Sequence, residues 1–106
     1  MSFLPIRFRA YFPLRRAKVS GDSMRPTLRD GQTVLFHSVD GFTFNSGDVV
    51  LIERESYPGI FYIKRIKTID RMGIWVEGDN SSESTDSRTW GYLHPNELIA
   101  VAFRRH

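Results

Sequence analysis

Apolar residues recur along this chain with a period of two, in short runs separated by glycine, proline and small polar residues. Ile6, Phe8, Ala10 and Phe12 alternate with Arg7, Arg9 and Tyr11. That predicts a strand with one buried face, ended or turned into an edge by Pro13. Gln32 to His37 reads as a second strand, started by the turn at Asp30-Gly31. Asp48 to Glu53 is apolar on both faces, which predicts a central strand. Ile60 to Ile66 and Ile74 to Glu77 read as two strands joined by a hairpin turn at Asp70-Arg71-Met72-Gly73. Ile99 to Phe103 closes the chain as a last strand. Ser38 to Gly47 and the serine-rich Gly78 to Thr89 read as loops, and His94 to Glu97 as one helical turn. No helical period is sustained, and turn signals return about every ten residues. The expected fold is all-β, a barrel or sandwich of short antiparallel strands.

The length of 106 residues fits one domain: an N-terminal strand or arm over 1–18 and a core over 19–106. With no cysteine, disulfides, zinc–thiolate sites and a cysteine nucleophile are excluded. No cluster of His, Asp and Glu points to a metal, and no cofactor is expected. The longest apolar runs fall far short of the roughly 18 residues of a membrane span, and Pro5, Pro13 and the arginines interrupt any signal-peptide core. The net charge of +3 gathers at the ends: Arg7, Arg9, Arg15, Arg16 and Lys18, then Arg104-Arg105. Solvated arginines are the plain reading; peripheral contact with an anionic membrane through Arg7, Arg9, Arg15 and Arg16 is the sharper one. No helix-turn-helix or RNA-binding motif is present, so no nucleic-acid partner is expected.

The chemistry centres on Val19 to Gly31. Gly21, Pro26 and Gly31 exclude a regular helix or central strand, so Ser23 stands on a shaped loop with Met24 beside it. Such a serine is either a turn former or a nucleophile. On the strand at 60–66, alternation puts Lys64 in one row with Ile60, Tyr62 and Ile66. Either its stem lies on the sheet and the ammonium reaches water, or it is buried and loses proton affinity. Arg65, on the other face, then needs a partner or an edge.

Four blocks in order, Ser20-Gly21-Asp22-Ser23-Met24-x-Pro26-Thr27-Leu28, Gly47-Asp48-Val49-Val50, Tyr62-Ile63-Lys64-Arg65, and Gly78-Asp79-Asn80-x-x-x-Ser84-x-Asp86-Ser87-Arg88-x-x-Gly91, resemble the signal peptidase I family. The resemblance implies a serine endopeptidase with a serine–lysine dyad, in which Ser23 is the nucleophile and neutral Lys64 the base. It implies that Ser84 orients the lysine, that Asp86 and Arg88 form an ion pair shaping the site, and that Met24, Pro26, Asp79 and Asn80 support it. The Ser23 amide would serve the oxyanion. Gly21 stands where many members have a second donor, which leaves Ser20 for that role. The implied partner is a protein precursor with an extended N-terminal segment and small residues before the cut.

Family members usually have a membrane anchor, and many an inserted β domain. The sequence shows neither, so it resembles the small maturation proteases of nickel-type superoxide dismutase, and a cytoplasmic location follows, peripheral to the membrane if the basic arm binds lipid. Other readings remain: a catalytically weak signal-peptidase-like binding module at a membrane surface, a relative of DNA-damage repressors lacking the DNA-binding part, or a serine–histidine–aspartate triad using His37 or His94.

Overall fold

The computed structural model describes residues 14–38, 44–103 and 106. The strand expected over 6–12, with Arg7 and Arg9, lies outside the described residues, as does the part of the 38–47 loop at 39–43. Six antiparallel strands form one sheet: β1 (Leu14–Lys18), β2 (Thr33–Ser38), β3 (Val49–Glu53), β4 (Phe61–Asp70), β5 (Gly73–Glu77) and β6 (Leu98–Ala102), in the spatial order β1-β2-β6-β3-β4-β5. The all-β reading holds. The apolar run of β3 is central, between β6 and β4, and its first four residues are buried.

Alternation along the central strands divides the core into two layers. Val49, Leu51, Ala100 and Ala102 pack with Val34 and Phe36 on one face, where Met24 and Leu28 of the Ser23 loop cover them. Val50, Ile52, Ile66, Val76 and Val101 pack on the other, under Leu93 and the half-buried Trp90. The sheet therefore takes its two covers from the two long loops, and each loop is held by burying its own apolar residues.

The hairpin turn stands where the Asp70–Gly73 signal puts it, with Asp70 and Gly73 paired across it, but β4 runs four residues beyond Ile66. A register shift between Ile66 and Thr68 accommodates that extension. Three elements are not announced by the hydrophobic pattern, one of them a 3₁₀ turn over Ser81–Glu83 in the stretch read as loop. β1 reads Leu-Arg-Arg-Ala-Lys and pairs with β2 from Leu14↔His37 to Lys18↔Thr33. As the end strand of the sheet it needs no alternation of its own, and charged side chains suit an edge. The third is a single α-helical turn, Ser87–Trp90, capped by the Asp86 carboxylate on the Arg88 amide, inside and just beyond the same stretch. The expected turn at His94–Glu97 is a 3₁₀ turn over Pro95–Glu97.

Candidate active site

The loop from Ser20 to Asp30 is closed at its base by paired backbone hydrogen bonds, Val19 N–H to Gln32 at 2.7 Å and Gly31 N–H to Val19 at 2.8 Å. Inside it Gly21 takes a positive φ of 87° and its amide donates to Asp30 Oδ1 at 2.8 Å. The Arg25–Pro26 peptide is cis. Met24 is buried, with its sulfur accepting the Asp79 N–H, while Pro26 is exposed. Ser23 is half-buried beside a chamber of about 80 Å³, which Ser20, Met24 and Ile63 also line.

A second segment grips this loop. Asn80 N–H donates to the Ser23 carbonyl at 2.8 Å, and the Asn80 side-chain amide donates to the Asp22 carbonyl at 3.0 Å. Asp79 accepts from Thr27 Oγ1 at 2.6 Å and, in a bidentate pair, from Arg65 at 2.9 and 2.8 Å. Arg65 also donates to the Gly47 carbonyl at 2.8 Å. The Arg65 guanidinium, which hydrogen-bonds it, holds the Asp79 carboxyl below its usual range against the opposing effect of burial. Thr27 and Arg65 were not singled out by spacing as supports of the site. Their signal is weak: an arginine facing away from the lysine row, in need of a carboxylate.

Lys64 is 4% exposed, so its side chain is buried instead of lying along the sheet surface. It pairs across the ladder with Val50 and shares its face with Ile66. Burial lowers its proton affinity, which Asp86 partly restores and Arg88 lowers further. Nζ donates to Ser84 Oγ at 3.1 Å, and Ser84 Oγ donates to Asp86 Oδ2 at 2.6 Å. Asp86 is fully buried. Burial alone would raise its pKa. Hydrogen bonds from the Arg88 guanidinium, Ser84, and the Gly78 and Arg88 amides outweigh that and hold it well below the usual carboxylate range.

The two halves meet over Gly78. A Cβ built there would stand 2.6 Å from the Ser23 carbonyl oxygen and collide with the Ser84 hydroxyl. Only a glycine lets the serine loop and the Ser84–Lys64 pair close on one another at this point. Among the described residues no hydrogen bond joins the Ser23 hydroxyl to Nζ, and the Ser23 N–H and the Ser20 hydroxyl donate to no protein acceptor. His37 stacks on Phe103 with ring centroids 5.0 Å apart, and the His94 amide caps onto Glu97 at 3.0 Å; neither imidazole is hydrogen-bonded to Ser23.

A family model described as Peptidase S24-like matches residues 12–89, most of the chain and all but the end of the fourth block. The chain belongs to the Peptidase S24-like family. Among curated relatives it is 31% identical over 113 residues to mitochondrial inner membrane protease subunit 2 of Saccharomyces cerevisiae, covering 81% of this chain and 64% of that protein. It is 28% identical over 102 residues to subunit 1 of Xenopus tropicalis, covering 76% of this chain and 60% of that one, and 29% identical to human subunit 1 over 76% and 61%. It thus spans about 60 to 64% of the length of these relatives. The matches bear out the signal-peptidase-like resemblance of the four blocks. Among the described residues of this S24-like chain, no helix is long and apolar enough to cross a membrane.

Proposed function

We propose that the chain is a serine endopeptidase in which Ser23 attacks the scissile carbonyl and Lys64 serves as the base. The observation that carries the reading is Lys64 itself: an amine buried in an apolar row, held at 3.1 Å by Ser84, with its proton affinity lowered. In the neutral form it donates one hydrogen to Ser84 and keeps its lone pair. Ser23 Oγ forms the bond to the carbonyl carbon while its proton passes to Nζ. The tetrahedral intermediate collapses, the C–N bond breaks, and Nζ–H protonates the leaving amine. Water then attacks the acyl-serine and gives a proton to Nζ; the second tetrahedral intermediate collapses, the C–Oγ bond breaks, and Nζ–H returns the proton to Ser23 Oγ. The unengaged Ser23 N–H and the Ser20 hydroxyl would receive the developing oxyanion, the Gly21 amide being taken by Asp30. Ser84 orients the amine. Asp86 and Arg88 fix Ser84, and Met24, Asp79 and Asn80 fix the serine loop.

The substrate class is a protein precursor whose N-terminal segment binds extended, with a small side chain in the chamber of about 80 Å³ beside Ser23. The names of the inner membrane protease relatives support proteolysis of this kind. The precursor of a nickel-type superoxide dismutase, met in the cytoplasm or at a membrane face, is the first candidate. The test is incubation of the chain with candidate precursors and mapping of the new N-termini. Ser23→Ala and Lys64→Ala should each abolish cleavage with the fold intact by circular dichroism; full activity in either would overturn the dyad. The lack of a hydrogen bond between the Ser23 hydroxyl and Nζ favours a second reading, a binding module without turnover. Peptide binding with no cleavage of any precursor would select it.

A further inference from the structure

Lys18 and Phe61 line both the chamber beside Ser23 and a larger cleft of about 430 Å³. One wall is β1, with Arg15, Arg16, Ala17 and Lys18; Leu51 and Phe61 form the other. Among the described residues, β1 ends the sheet and Phe61–Lys64 of β4 has no pairing with β5, so β1 and Phe61 offer unpaired strand edge, while Leu51 is paired on both sides. Three cations in four residues line this space, all exposed, and among the described residues no carboxylate lines either chamber. Among the described residues none of the three forms an ion pair. Glu53, which pairs with Phe61 across the ladder, turns its carboxylate to the Gly59 N–H at 2.7 Å. Blunting of a sheet edge explains cations that point into solvent. It does not explain why they line a cleft that shares Lys18 and Phe61 with the chamber beside Ser23.

We propose that Arg15, Arg16 and Lys18 select a substrate segment carrying Asp or Glu, bound extended along β1. This deepens the peptidase reading and rests on it for the word substrate. An extended chain rises about 3.3 Å per residue, so an acid meeting Arg16 stands about two residues beyond the one beside Lys18. The acid therefore lies a few residues from the small side chain in the chamber, on the side of the cut that follows β1. Charge complementarity of this kind sets partner choice and encounter rate more than raw affinity.

The test uses the full chain carrying Ser23→Ala, so that binding is read without turnover. The probes are fluorescein-labelled ten-residue peptides with alanine at the chamber position and Glu, Gln or Lys scanned through the others, followed by anisotropy. At low salt the best Glu peptide should bind about fivefold tighter than its Gln counterpart, as for a few partly screened pairs. The preference should vanish in about 1 M salt, where screening acts within roughly 3 Å. Arg16→Glu should turn the preference towards the Lys peptide, whereas Arg71→Glu at the far hairpin should keep the preference for Glu. Equal binding of the three peptides, or no binding, overturns the proposal. So does binding of phosphatidylglycerol vesicles through the same three cations while the peptides bind alike. Cleavage by the unmodified chain is scored separately: turnover without a Glu preference sinks this proposal and leaves the peptidase standing, and Glu-selective binding without turnover does the reverse.

Discussion

Lys64 and Ser84 are joined by one hydrogen bond of 3.1 Å, and its direction is fixed by what lies behind it. The Ser84 hydrogen is committed to Asp86 Oδ2 at 2.6 Å, so the Ser84 oxygen can only accept. The amine must donate, and its lone pair is left for another partner. Replacing Ser84 by alanine frees the amine to swing and strips a hydrogen bond from a buried carboxylate. We expect kcat to fall about 10²-fold, within the range of a misplaced general base, with KM changed far less. Stability should fall by about 1 kcal/mol, read by urea denaturation. An unchanged kcat would show that the bond does not position the amine.

The buried amine also predicts a pH dependence. Desolvation lowers the folded-state pKa of Lys64 beneath 10.5, so between the two values the unfolded chain binds more protons. Stability must then rise with pH through that window, by at most about 1.4 kcal/mol per unit, and the full penalty applies below it. Lys64→Met removes the titration. The variant should be the more stable at neutral pH, and the gap should close as the pH approaches 10.5. Peptidase activity of the unmodified chain should climb across the same lowered pKa. A stability difference that stays flat with pH would contradict the assignment.

Gly78 and Gly59 make a matched pair. Alanine at Gly78 puts a methyl against the Ser84 hydroxyl and 2.6 Å from both the Ser23 carbonyl oxygen and the Ser84 Cβ. That must separate the two halves of the site, and activity should fall by about 10²-fold or more. Alanine at Gly59 meets nothing within 4 Å but inherits a φ of 87°. It should cost about 1–2 kcal/mol of stability and leave turnover intact. Melting curves and turnover assays on both variants separate crowding from strain.

Asp79 ties Arg65 of the lysine strand to Thr27 of the serine loop, and the side chains of Arg65 and Asp79 are each less than a fifth exposed. Asp79→Ala leaves Thr27 and Arg65 without their acceptor and should cost about 2–3 kcal/mol. Arg65→Lys keeps the charge but loses the two-pronged geometry, so it should recover only part of that. A double-mutant cycle at the two positions should give a coupling of at least about 1 kcal/mol by chemical denaturation. Additive effects would mean that the pair is not a tie.

The strands that carry apolar runs were legible because burial leaves its mark on alternate residues. β3 could be read as central from Val49-Val50-Leu51-Ile52 alone. β1 could not, since its pairing with β2 demands nothing of its side chains and three of its five are basic. Ser87–Trp90 is one turn long, shorter than the period that would reveal it. The row containing Lys64 was readable, but not whether its ammonium met water. Ser84 and Asp86 decide that, and they lie on another segment twenty and more residues away. The contact of Thr27 with Asp79 spans 52 residues, and no local pattern encodes it.

The grip of Asn80 on the Ser23 carbonyl joins positions far apart in the sequence, and Lys64 gives up proton affinity because folding buries it. In an unfolded copy, without that burial, its amine is an ordinary charged lysine. On the proposed dyad, competence for cutting therefore requires the folded chain, and turnover can be used as a gauge of native population.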